Sequence, residues 1–301
     1  MHLTQYLGAF AASFQILVSA HLAPEEVLLA DRLLKIRPDA DVLKFKEVDK
    51  YTRADLVSFG FIDVTEIDDP DVLNALSGVK GAPVERQTWA YPQSLTHVNE
   101  ANNLIKNIKL EEPKENLKHL TGEYFNRYYN SDEGYLASEW LWQRIKSATD
   151  VNINIHLRKH HHSWKSPTII VTIPGSSRDL VIVGANYDSV GSYNSAEYAP
   201  GADSNGSGTV TILEALRVLA HAGFQPQRTL EFHFYSGTEG GLRGSGEVSA
   251  ALVSGKTYES WGLLKNTAYD TYYTVDWFSI LAHIQLTLGF LVEASYDDWI
   301  E

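Results

Sequence analysis

The sequence contains no cysteine, which excludes a disulfide scaffold, a thiolate metal site and a thiol nucleophile. It is also short of positive charge: 25 Lys and Arg stand against 38 Asp and Glu, a net charge of −13. Neutralising phosphates needs clustered cations, so this balance argues against nucleic acid as the main partner. Beyond the N-terminal stretch no run is read as the roughly 18 to 20 apolar residues of a membrane span. What is present is a globular composition, with 44% hydrophobic and 11% aromatic residues in a chain of 301. That length supports one large domain or two modest ones around a sizeable core.

Residues 6–18 are mostly apolar, and Val18-Ser19-Ala20 supplies the small residues that suit signal cleavage. Residues 1–20 are therefore expected to be a signal peptide and the protein to be secreted. Residues 21–97 are expected to form a small propeptide-like unit and linker. A helical pattern runs over residues 21–34, an apolar run over 55–64 leads to an acidic turn at Pro70, and Gly81, Pro83 and Pro92 mark the linker. The remaining residues 98–301 read as one domain. Residues 100–120 are charged and helical in spacing, and Asn130-Ser131-Asp132 provides start signals for a helix over 134–147.

From residue 150 strands alternate with helices. Residues 168–173 form a strand ending at Pro174-Gly175, and the apolar run 179–185 predicts a strand buried on both faces. A helix is expected over 207–223, a strand over 229–236 and a helix over 242–252. Such alternation predicts an α/β fold with a mainly parallel central sheet and flanking helices. Ligands of such sheets bind at the carboxyl ends of strands, which here are residues 185–189 and 236–241.

Three loop segments stand out: Gly184-Ala185-Asn186-Tyr187-Asp188-Ser189, Pro200-Gly201-Ala202-Asp203-Ser204-Asn205-Gly206-Ser207-Gly208, and Tyr235-Ser236-Gly237-Thr238-Glu239-Gly240-Gly241-Leu242-Arg243-Gly244-Ser245. Their order and spacing resemble the secreted leucine aminopeptidases, exopeptidases with two co-catalytic zinc ions. In that family the loops read approximately G-A-H-x-D-S, P-G-A-D-D-D-G-S-G and Y-S-A-E-E-x-G-L-x-G-S. Phe61-Ile62-Asp63-Val64-Thr65-Glu66 is similar to the end of the family's propeptide, and Phe125-Asn126-Arg127-Tyr128-Tyr129 and His162-Ser163-Trp164 match further family segments.

The resemblance implies a site residue by residue. A first His ligand falls on Asn186, its orienting carboxylate on Asp188 and the bridging Asp on Ser204. The general-base Glu falls on Thr238 and the next Glu ligand on Glu239. Leu264-Lys265-Asn266-Thr267-Ala268-Tyr269 is weakly similar to a D-M-T-x-Y segment, which sets Lys265 at a ligand Asp position. A match for the last His ligand is not found. Amides and neutral hydroxyls are poor zinc ligands beside imidazole and carboxylate, so zinc binding is expected to be weakened and catalysis impaired or lost.

Other features read less sharply. In the extended run His160-His161-His162 only alternate side chains share a face, so it offers two ligands together at most; a solvated basic loop with Arg158 and Lys159 is the favoured reading. His283 is expected in the core or an interface. Asn205-Gly206-Ser207 is a glycosylation sequon in the ligand loop. The glycines over 237–246 fail the G-x-G-x-x-G spacing of a dinucleotide site. Residues 271–301 carry Trp277, Phe278, Phe290, Tyr296 and Trp299 without a match to the family's closing elements, so an incomplete sheet and apolar surface prone to self-association are expected. The sequence thus predicts a secreted peptide hydrolase of leucine aminopeptidase type, acting on peptides with an apolar N-terminal residue but impaired or inactive. The alternative is a non-catalytic peptide-binding or decoy protein. Signal cleavage after Ala20 makes His21 the first residue of the exported protein; Edman sequencing that returns Met1 overturns it.

Overall fold

The computed structural model describes residues 33–36, 42–44, 61–63, 94–191, 195–252 and 270–296. Strands β1 (Leu33–Ile36), β2 (Val42–Lys44) and β3 (Phe61–Asp63) form an antiparallel sheet of order β2-β1-β3. Leu33 and Leu34, read as the end of a helix, are therefore extended. The rest of that stretch, the signal segment and the linker lie outside the described residues.

The larger unit opens with α1 (Val98–Ile105), α2 (Glu111–Gly122) and α3 (Asp132–Thr149). The helical pattern over 100–120 is thus split in two. Its break is held from outside: Glu214 accepts the Lys109 N–H at 2.7 Å and Arg217 donates to the Asn107 carbonyl at 2.8 Å. α3 starts where the sequence signals it, with the Ser131 hydroxyl accepting the Gly134 N–H at 3.0 Å. Then follow β4 (His156–His160), β5 (Thr168–Ile173), β6 (Ser177–Asn186), α4 (Ser207–Ala222), β7 (Arg228–Tyr235), α5 (Arg243–Leu252) and α6 (Trp277–Ala294).

The central sheet has the order β4-β5-β7-β6, with helices packed around it. The expected α/β architecture holds, but the sheet is mixed rather than mainly parallel: only β6 and β7 pair in parallel among the described strands. Parallel pairing needs a long crossover, and only β6-α4-β7 contains one. The short β5–β6 turn crosses the start of β7, where Gly175 passes so close that a Cβ would sit 2.3 Å from the Gln227 carbonyl oxygen. A second correction concerns the apolar run 179–185. Among the described strands β6 lies at the edge; it buries Val181 and Ala185 but leaves Leu180 and Ile182 43% and 37% exposed. β7, inserted between β5 and β6, is buried on both faces, with Leu230, Phe232 and Phe234 on one face and Glu231 and His233 on the other.

α4 is the hub of the helical layer; α1, α2, α3 and α6 all pack on it. Against the sequence reading, α6 is long and apolar enough by length and composition to cross a membrane. Its stripe Ile280, Ile284, Leu288, Leu291 is nevertheless buried in the core. Glu293, buried near its end, accepts the N–H groups of Thr96 (3.0 Å) and His97 (2.8 Å) just ahead of α1. His283 lies one position off that stripe and is exposed, not in the core; its Nδ1 lies 2.8 Å from the Ser279 carbonyl oxygen. Phe278 and Phe290 are exposed on the same helix. Truncating Phe232 to Ala is expected to cost about 3–5 kcal/mol, whereas Ile182→Ala costs about 1 kcal/mol or less. Urea midpoints measured at unchanged m-value check the contrast.

Candidate active site

The carboxyl ends of the parallel pair lie side by side, Asn186 of β6 in register with Tyr235 of β7. This brings the loop after β6, the glycine-rich loop before α4 and the loop after β7 to one place. Five of the six positions singled out by resemblance converge there; the sixth, Lys265, lies outside the described residues.

The site is wired to itself. Asn186 donates from Nδ2 to the Asp188 carbonyl (3.2 Å) and to Asp188 Oδ1 (3.3 Å), and its Oδ1 accepts from Asn205 Nδ2 at 3.1 Å. Asp188 is fully buried, and its Oδ2 accepts the backbone N–H of Glu239 at 3.0 Å. The Glu239 side chain is also buried, while Thr238 is half-buried at the start of a short turn entered through Gly237, whose φ is +78°. Ser204 is buried, its N–H donating to Asp270 Oδ2 at 3.0 Å, and Asp203 N–H donates to the other oxygen at 2.6 Å. Asn205 is engaged at both ends of its amide, since its Oδ1 also accepts the Gly208 N–H at 3.0 Å. The sequon nitrogen therefore points to Asn186 rather than outward.

Behind the loops lies Arg127, fully buried. Its Nε donates to the Tyr187 carbonyl (2.7 Å), Nη1 to Leu120 O (2.9 Å) and Pro200 O, and Nη2 to Gly201 O (2.9 Å). Burial draws its pKa down to about 10, opposed by the nearby carboxylates of Asp188, Asp270 and Glu239. Arg127 appeared in the sequence only as part of a matched run. Asp270 carried no signal, because its partners are backbone groups 66 and 67 residues away.

The family's two zinc ions need imidazole and carboxylate donors around a bridging carboxylate. Among the described residues, those at the positions singled out by resemblance do not fit that centre. Asn186, Ser204 and Thr238 offer an amide and two hydroxyls, and Asp188 is committed to Glu239 N–H and Asn186. Among the described residues, three metal-binding donors converge elsewhere, at His160, His162 and Glu247. The histidine run is therefore not the solvated basic loop expected: the His162 ring is buried and stacked on Trp164 at a centroid distance of 4.1 Å.

Burial lifts the Asp188 carboxyl above its ordinary value of 3.8, opposed by the Glu239 N–H and the Asn186 amide. The native state then keeps the proton to higher pH than the unfolded chain, so this group's contribution falls as pH rises from 3.8 through the raised native value. For Asp188→Asn, the stability difference from the parent is expected to grow more positive across that window. Urea unfolding of both proteins from about pH 4 to 7 checks the sign.

Residues 168–280 match the model described as Peptidase family M28. A probable leucine aminopeptidase of Arthroderma otae is 35% identical over 193 residues, 63% of this chain and 51% of that protein. A probable aminopeptidase of Saccharomyces cerevisiae is 40% identical over 181 residues, 57% of this chain and 48% of that protein. The chain thus spans about half the length of the curated relatives it matches. Among solved structures, LapB of Legionella pneumophila superposes with a TM-score of 0.66 at 16% identity, over 89% of this chain and all of that one. The LapA aminopeptidase of the same organism gives 0.65 at 16%, over 88% and 98%. These two likenesses are of fold. The matched segment 168–280 contains β5, β6, β7, α4, α5 and all the loop positions described above, and over that segment the chain is similar to peptidase family M28.

Proposed function

We propose that this protein is a secreted peptide hydrolase of the leucine aminopeptidase type in which cleavage is impaired or lost. One observation carries the reading: the positions that would hold and activate a metal-bound water are Asn186, Ser204 and Thr238, and the Asn186 amide is tied into bonds within the site's own loops. A threonine hydroxyl cannot take a proton from water near neutral pH, so Thr238 cannot serve as the general base. The names of the matching relatives support the peptidase type, and peptides with an apolar N-terminal residue are the substrates to test first. Secretion rests on the pattern of residues 1–20.

A second reading, a non-catalytic peptide-binding protein, is favoured by charge. The carboxylates of Asp188, Glu239 and Asp270 surround the single guanidinium of Arg127, leaving an anionic balance that suits the α-ammonium group of a peptide. A leucyl-anilide assay on purified chain, with and without chelator, tests the first reading. Turnover is expected at least about 100-fold below that of an intact two-zinc relative assayed in parallel, a deficit of about 2.7 kcal/mol. Full turnover, abolished by chelator and by Glu239→Gln, overturns it. Calorimetric binding of Leu-Gly-Gly without cleavage, lost on N-acetylation, selects the second.

A further inference from the structure

We propose that His160, His162 and Glu247 form a binding site for one divalent cation of the zinc class, apart from the loop positions described above. The three donor atoms lie within 4.8 Å of one another. They come from two elements: the end of β4 with the residues after it, and α5. Extended backbone sets His160 and His162 on one face, their rings 4.9 Å apart, and α5 supplies the carboxylate. Glu247 Oε2 is 2.5 Å from His162 Nδ1 and 3.9 Å from His160 Nε2. Tetrahedral zinc with ligands at about 2.0–2.1 Å sets them about 3.3 Å apart. The observed separations bracket that value, so small side-chain shifts complete the cage.

The surroundings are built for a ligand. His162 Nε2 lies 2.8 Å from Thr168 Oγ1, which also accepts the Ser236 N–H at 3.3 Å. An imidazole that donates its Nε2 proton there leaves the Nδ1 lone pair facing Glu247, the tautomer a metal ligand requires. A bare lone pair that close to a carboxylate needs a proton or a metal ion between them. Stacking on Trp164 fixes the ring plane, and Trp164 is itself held by Nε1 donating to Ser236 Oγ at 2.8 Å. The His162 side chain is 0% exposed, while those of His160 and Glu247 are 29% and 28% exposed. A bound ion therefore keeps an open position toward water. Two imidazoles and a carboxylate suit zinc and its neighbours rather than magnesium or calcium, which take all-oxygen shells. The ion would staple β4 to α5, the helix that follows the loop carrying Thr238 and Glu239.

Titration of the metal-stripped full chain with zinc chloride, followed by calorimetry, tests this. One site is expected, with magnesium silent. His160→Asn and Glu247→Gln should each weaken it by more than the roughly 10- to 100-fold that loss of an outer partner costs, while Glu239→Gln leaves it intact. Should either variant not fold, the other decides; imidazole ¹⁵N shifts in the parent, confined to His160 and His162 on adding zinc, decide without any substitution. The absence of a site, survival of the site in both variants, or its loss with Glu239→Gln overturns the proposal. Leucyl-anilide turnover is not the readout, so this site and the impaired-hydrolase reading stand or fall separately.

Discussion

The arrangement of the site depends on one buried cation. A guanidinium taken out of water is costly unless its donors find acceptors and its charge finds a counterion. Arg127 meets both demands: four carbonyls from three separate stretches of chain receive its protons, and three carboxylates lie in its field. The acceptors are the end of α2, the loop after β6 and the glycine-rich loop, so a single planar fork sets where these meet. Only such a fork can do this, since a lysine ammonium is a point charge with three donors. The close approach leaves no room for a side chain at Gly201, where a Cβ would stand 2.6 Å from Ser189 Cβ and where φ is +57°.

The loops around Arg127 are complementary to one another. Asn186, Asn205 and Asp188 form a chain in which amides fill the space that charged donors would dispute. Such a network lowers the repulsion among carboxylates that would otherwise need an ion to hold them together.

Much of this could be read from the sequence, and the limits are physical. Local rules found α3 from Ser131, α4 with its closing Gly223, and the three loops, because capping, periodicity and glycine act over a few residues. Strand order is not local. Nothing in residues 168–186 says that β7 enters between β5 and β6, which is why the sheet was expected to be mainly parallel and β6 to be central. The roles of Arg127, Asp270 and Glu247 were hidden for the same reason: each acts on groups far away in the chain. The histidine run showed two ligands on one face, and only α5 could supply a third. His283 lies outside the core because an apolar run on a helix still has an outward side.

Glu293 has a bearing on how the domain comes to be made. The α1 entrance at Thr96 and His97 is fastened by a carboxylate almost 200 positions later, and Tyr296 reinforces it by stacking on His97 and bonding Glu100. During synthesis α1 leaves the ribosome long before its fastener exists. Contacts of such sequence separation come late and slow the search for the native state. α1 and α2 therefore have their inner faces uncovered until α6 arrives, and the charged residues Glu111, Glu112, Lys114 and Glu115 of α2 favour its solubility meanwhile.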